Sequence, residues 1–163
     1  MNVSFAPLSV EAADILSVGT GINYTRFWPF PEPRWFCATS RDDEGRIAGV
    51  ILCHFSSPFE AEFNTAVLDP RCVTRRVLRA VFTALFSRVV RVTAQIAPDN
   101  TRSLRGVVRM GFKLEGHMRL ALDGQRDAVV FGMLKSDCRF LSGREHRPLA
   151  IKETGHGRHT RST

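Results

Sequence analysis

The 163-residue sequence predicts an α/β fold of the α+β kind. Its central sheet is mixed and mostly antiparallel, with flanking helices and one central pair of parallel strands. Three observations predict it. Three β-patterns separated by turn signals run from Trp35 to Leu68. An amphipathic helical stripe then lies between two β-patterns, the arrangement that lets two strands run parallel. Finally, a short helical segment precedes two β-patterns joined at Asp123-Gly124, a hairpin signal.

Taken in order, Ser9 caps a first helix whose Ala12, Ile15 and Leu16 face inward. The segment Phe27-Trp28-Pro29-Phe30-Pro31-Glu32-Pro33 has alternate prolines that forbid regular structure, so it reads as a loop packed on the core or lining a pocket. Trp35 to Thr39 is a strand, Asp42 to Gly45 a turn, Arg46 to Phe55 a second strand and Phe59 to Leu68 a third. Asp69-Pro70 opens a helix with Val73, Val77, Leu78, Val81, Phe82 and Leu85 on its inner stripe and Arg75, Arg76 and Arg79 on the other side. Val89 to Ile96 alternates as a strand. Asp99 or Asn100 caps a short helix that Gly111 terminates in the left-handed conformation. Phe112 to Leu122 and Ala128 to Leu134 complete the hairpin.

Composition bounds the function. With 44% hydrophobic and 24% charged residues the chain is an ordinary globular one. Residues 1–141 read as one domain and 142–163 as a flexible basic C-terminal tail. No apolar run approaches the ~20 residues of a membrane span, and no secretory signal opens the chain. Cys37, Cys53, Cys72 and Cys138 are scattered without ligand spacing and read as free thiols of a cytoplasmic protein. The net charge of +7 suits an anionic partner, but the tail supplies +3 of it, so nucleic-acid binding has charge alone behind it. His156 and His159 lack a third ligand beside them and read as polar tail residues rather than a metal site.

Residues 90 to 134 carry the most specific pattern: Asp99-Asn100-Thr101-Arg102-Ser103, then Met110-Gly111-Phe112, then Glu115-Gly116 and Arg119. In order and separation these parts resemble the C-terminal half of the GCN5-related N-acetyltransferases. The resemblance is closest to the branch that acetylates protein N-termini, of which members also occur among tailed phages. It covers roughly residues 44 to 141.

The resemblance implies a fold in which two adjacent parallel strands splay, here residues 59–68 and 89–96, and receive the pantetheine arm of acetyl-CoA between them. Backbone groups near Val67 and Leu68 would pair with the pantetheine amides. The pyrophosphate would sit at the start of the following helix, beside Arg71, Thr74, Arg75 and Arg76. That family loop is glycine-rich. Here Asp69-Pro70-Arg71-Cys72-Val73-Thr74-Arg75-Arg76 has no glycine, and none occurs between Gly49 and Gly106. Asn100 matches the asparagine that contacts the pantetheine arm; as a cap it has a structural role too. Ser103 matches the serine that protonates the leaving thiolate.

Amine acetylation also needs a base. Glu60 and Glu62 share one face of the strand before the loop and are its candidates. His54, on the neighbouring strand, is a further candidate by residue type, with a structural role as the alternative. Glu115 faces the presumed cleft, with Arg119 expected to pair with it or with a substrate carboxylate. Two functions follow. One is acetyl transfer from acetyl-CoA to a primary amine, a protein N-terminus or a small amine. The other is a non-catalytic protein of the same fold, with the loop decayed and the surface recruited to assembly partners, for instance in a phage particle. The glycine-free loop favours the second; Asn100, Ser103 and Glu115-Gly116 favour the first.

Overall fold

The computed structural model describes residues 2–5, 8–24 and 34–141. The aromatic, proline-rich segment up to Pro33 and the tail from residue 142, with His156 and His159, lie outside the described residues.

Among the described residues seven strands form one sheet. They are β1 (Asn2–Phe5), β2 (Trp35–Arg41), β3 (Ile47–Phe55), β4 (Glu60–Val67), β5 (Arg91–Ile96), β6 (Lys113–Leu122) and β7 (Arg126–Leu134). Their spatial order is β1-β2-β3-β4-β5-β7-β6. Every neighbouring pair is antiparallel except β4 and β5, which run parallel. The helices are α1 (Val10–Thr20), α2 (Arg75–Phe86) and α3 (Thr101–Met110). The mixed sheet predicted from the sequence is therefore the sheet observed. β1 is the element that sequence reasoning missed. It is four residues long at the sheet's edge, too short for a period to show.

α1 covers one face. Ser9 Oγ accepts from the Ala12 amide at 3.2 Å and starts the helix. Ala12, Ala13 and Leu16 are fully buried against Val50, Leu52 and Ala66 of the sheet. α2 and α3 cover the other face, which carries the larger core. Phe82 is fully buried at its centre, with the rings of Phe140 at 5.5 Å, Phe63 at 5.6 Å, Phe86 at 6.0 Å and Phe112 at 6.2 Å. Five aromatic rings in one place explain how a sheet with a partly opened middle keeps its shape.

The link from β4 to α2 differs from the sequence expectation. Asp69-Pro70 does not start the long helix. Pro70–Cys72 forms one 3-10 turn, closed by the Asp69 carboxylate, which accepts from the Arg71 amide at 2.9 Å. α2 begins only after Thr74, whose Oγ1 accepts from the Val77 amide at 3.2 Å. The separate turn swings Cys72 inward. Its Sγ donates to the Ala48 carbonyl at 3.5 Å and fills a notch over Gly49, where a Cβ would stand 2.7 Å from the sulfur. Close approach of loop to strand is bought by a glycine on β3 rather than by glycines in the loop.

Candidate active site

β4 and β5 hold together over three rungs only: Glu60↔Arg91, Ala61↔Val92 and Glu62↔Thr93. Beyond them β4 continues along β3 to Val67, while β5 continues along β7 to Ile96. The strands fork, and a cleft of about 920 Å³ opens between them. Hydrogen bonding alternates along a strand. The Phe59 carbonyl points to β5, accepting from the Arg91 amide at 3.1 Å, and the Leu68 amide points to β3, donating to Ala48 at 2.9 Å. By that alternation the backbone groups of Phe63, Thr65 and Val67 face the gap. The Val67 carbonyl accepts from Arg102 Nη2 at 3.3 Å.

The cleft has two unlike mouths. On the α2–α3 face its wall carries Arg75, Arg102, Arg105, Arg109 and Arg139. Three of them come from α3 at positions i, i+3 and i+7, which lie on one side of a helix. On the α1 face the lining is Gly19, Thr20, Ile22 and Leu122, with Asn64 from β4 and Gln95 from β5. Among the described residues no aspartate or glutamate lines the cleft. α3 is set in place by Asn100, whose Oδ1 accepts from the Ser103 amide at 3.1 Å, and by Gly111 at φ 106°.

Of the residues singled out from the sequence, Val67, Arg75, Asn100 and Ser103 line the cleft. Leu68 spends its amide on Ala48. Arg71 is bound to Asp69 at 2.7 Å, and Thr74 caps α2. Arg76 is exposed on the first turn of α2. None of these four lines the cleft. Glu60 and Glu62 stand below the fork, on the α1 face. Glu60 accepts from Arg91 Nε at 3.2 Å and from the Thr93 hydroxyl. Glu62 lies 3.7 Å from His54 Nδ1, and Trp35 stacks on His54.

Glu115 does not line the cleft, and its pairing with Arg119, one of the two expected for that arginine, is not what forms. Glu115 is held by Arg91, which reaches it across β7 and binds both its oxygens. That guanidinium keeps the Glu115 carboxyl below the usual carboxylate range. Arg91 thereby ties β4, β5 and β6 together just below the fork. Sequence reasoning missed the arginines of α3, although their spacing was a readable signal. It also missed Arg139, Asn64 and Gln95, which only the tertiary structure brings to the cleft. All four cysteines are free and buried. Burial pushes the Cys37 thiol up to about 11 and also raises Cys53, Cys72 and Cys138, so none is a ready nucleophile. No group of three or more metal-ligating side chains occurs among the described residues, and no helix there is long and apolar enough to cross a membrane.

A seven-stranded sheet forked at one parallel pair, with a helix starting on either side of the fork, is the fold of the GCN5-related acetyltransferases. Among solved structures, an acetyltransferase of that family from Elizabethkingia anophelis with acetyl-CoA bound superposes with a TM-score of 0.61 at 12% identity, over 82% of this chain and 98% of the other. The ribosomal-protein-S18-alanine N-acetyltransferase from Escherichia coli gives 0.59 at 17%, over 82% and 94%. A spermidine N-acetyltransferase from Vibrio cholerae gives 0.60 at 15%, over 88% and 98%. No family model and no curated protein matches the chain by sequence.

The residues present suit acetyl-CoA. The backbone edge of β4 facing the gap offers donors and acceptors to an amide-bearing arm, and the arginine-rimmed mouth suits phosphate charge.

Proposed function

We propose that this chain is an acetyl-CoA-dependent N-acetyltransferase acting on a primary amine. The observation that carries the reading is the fork between β4 and β5, opening onto a cleft with five arginines and, among the described residues, no carboxylate in its wall. Such a wall favours a polyanion at one mouth, and the forked strands offer unpaired backbone for its uncharged arm. Gly49 accounts for how the glycine-free loop packs on β3, and the arginines of the cleft wall offer phosphate charge a partner that does not depend on loop glycines.

In this reading Phe63 and Thr65 hold the arm by their backbone groups and Val67 by its amide, its carbonyl being taken by Arg102. Arg75 and the arginines of α3 face the phosphates, and Arg71 and Arg76 add charge around that mouth. Asn100 fixes the start of α3 and contacts the arm. The bound cosubstrate supplies a thioester carbonyl for attack by an amine. As the N–C bond forms and the C–S bond breaks, Ser103, in the first turn of α3 and on the cleft wall, gives the departing sulfur a proton from its Oγ, and the proton that the nitrogen loses restores the hydroxyl. The protein N-terminus is the acceptor with most support in the sequence pattern, through Asn100, Ser103 and the Glu115-Gly116 pair.

The test is thermal melting with acetyl-CoA. At a hundred times the dissociation constant the folded state gains about 2.7 kcal/mol, a rise of roughly 5–10 °C for a chain of this size. No shift at millimolar acetyl-CoA sinks the enzyme reading and leaves the non-catalytic assembly protein in its place. Given binding, Ser103→Ala lowers turnover and spares affinity; loss of affinity alone refutes its acid role.

A further inference from the structure

We propose that the nucleotide end of acetyl-CoA is read by guanidinium side chains of α3, Arg105 and Arg109 foremost, in place of the backbone amides of the β4–α2 turn. The row they form outruns a diphosphate and reaches the phosphate on the ribose 3′ oxygen, so the protein tells coenzyme A from its 3′-dephospho form. The inference rests on the acetyl-transfer reading and goes beyond it by naming which phosphate sets specificity and which residues read it.

The amides of the turn are already spent. Coming off β4, the Leu68 and Asp69 amides both donate to the Ala48 carbonyl at 2.9 Å. Pro70 has no amide to offer. The Arg71 amide donates to the Asp69 carboxylate at 2.9 Å. The Cys72 amide donates to the Asp69 carbonyl at 3.0 Å, Val73 to Pro70 at 3.1 Å and Thr74 to Cys72 at 3.0 Å. Further on, Thr74 Oγ1 takes the Val77 amide at 3.2 Å. Of the amides that open α2, those of Arg75 and Arg76 are left for an outside anion. The turn's own cation, Arg71, is shared with the Asp69 carboxylate at 2.7 Å.

The wall formed by α3 is built the other way. Two stripes run along it at positions i, i+3 and i+7, which share a side of a helix. Ser103, Gly106 and Met110 form one, Arg102, Arg105 and Arg109 the other, and all six line the cleft. Arg102 donates to the Val67 carbonyl at 3.3 Å, which sets the first turn of α3 across the end of β4. Arg105 and Arg109 stand beyond it, exposed, and about 6 Å apart along the axis. Gly106 lies inside the helix, where glycine is weaker than alanine. Packing among the described residues does not require it, since an added Cβ would meet nothing within 4 Å. A glycine with room around it, on a cleft wall and beside two arginines, suits the close approach of a ligand to the helix backbone.

Coenzyme A carries its phosphates in two places. Two are joined through one oxygen in the diphosphate, and one stands apart on the ribose. Two phosphorus atoms sharing an oxygen lie closer than one helical turn of about 5.4 Å. Arg75, from the first turn of α2, enters the same cleft. With Arg105 and Arg109 a full turn apart on one wall and Arg75 on another, the set has a guanidinium to spare once the diphosphate is covered. The separate phosphate is the group left for it. A guanidinium binds phosphate oxygens in pairs, and a hydrogen bond to a charged group changes affinity by about 10- to 100-fold.

The experiment is calorimetric titration with two probes, acetyl-CoA and its 3′-dephospho form, which share thioester, arm and diphosphate. The readout is the ratio of their dissociation constants within one protein, which damage to the fold that weakens both alike does not move. The wild type is expected to prefer acetyl-CoA by about tenfold or more. Arg109→Gln and the double variant Arg105→Gln/Arg109→Gln bring the ratio close to one, and the double variant also weakens acetyl-CoA itself by about tenfold or more. Arg79→Gln, at an exposed arginine of α2 outside the cleft, keeps the wild-type ratio. Gly106→Ala raises the melting temperature of the free protein, because alanine favours the helix, and lowers acetyl-CoA affinity. A wild-type ratio of one overturns the proposal and leaves acetyl transfer standing. So does a preference that survives in the double variant, one that Arg79→Gln abolishes equally well, or unchanged acetyl-CoA affinity in Gly106→Ala. Binding of neither probe by the wild type overturns the proposal together with the acetyl-transfer reading.

Discussion

The contact of Cys72 with Gly49 makes a quantitative prediction about the glycine-free loop. In Gly49→Ala the new methyl stands 2.7 Å from Cys72 Sγ and 3.5 Å from the Ala66 carbonyl oxygen. The oxygen is at ordinary contact distance; the sulfur must retreat by nearly an ångström. It cannot turn aside cheaply, because Cys72 is buried within the 3-10 turn and bound to Ala48. Overpacking of this kind costs about 1–3 kcal/mol. Cys72→Ala alone removes one buried sulfur and costs about 1 kcal/mol. In the double variant the clash is gone, because the Cys72 Cβ lies 3.9 Å from the new methyl, a comfortable contact. The double variant is therefore as stable as Cys72→Ala alone, with a coupling of at least about 1 kcal/mol. Urea denaturation of the wild type and the three variants measures it. Additivity within about 0.5 kcal/mol refutes the notch as the reason why the loop dispenses with glycine. Because the turn leads directly into the first turn of α2, the proposed acetyl-CoA site adds an outcome: Gly49→Ala weakens that binding and the second substitution restores it.

Two further outcomes follow from other parts of the molecule. Phe82→Ala removes the ring that four others surround and costs about 3–5 kcal/mol. This is read as a lower urea midpoint; a loss under about 1 kcal/mol contradicts the aromatic core as described. Glu115 is held below the usual range by Arg91, so its contribution is present above the unfolded value of about 4.3 and is lost as pH falls through the lower folded value. Between pH 5 and 7 the wild type thus shows no loss from this group. Melting temperatures from pH 2.5 to 6 fall less steeply in Glu115→Gln, and parallel acid slopes in the two proteins refute the pairing.

The order of elements was legible because its signals are local. An apolar run marks β3, alternation marks β5, a one-sided apolar stripe marks α2, and Asp123-Gly124 marks the last turn. Asn100 and Ser103 were legible for the same reason, since a cap and the amide it binds are three residues apart. Even locally, competition between neighbours decided against the simplest reading. Asp69 and Thr74 both suit a cap, and the helix starts at Thr74 because Cys72 is drawn inward to Gly49, a residue on another strand.

Where β4 and β5 part, and what lines the gap, belonged to the tertiary structure alone. Arg102 meets Val67 across 35 residues of chain, and Arg91 meets Glu115 across 24 and Glu60 across 31. No periodicity links such residues. Their charges are visible in the sequence, but which opposite charge each one finds depends on strands brought together by the burial of apolar faces. The same burial placed the carboxylates below the fork, and the arginines and carboxamides on its walls. The sequence by itself therefore determined the strands, the helices and their caps, which are interactions between near neighbours. Folding decided the charge of the cleft, because charge at a site is a sum over residues that only packing assembles.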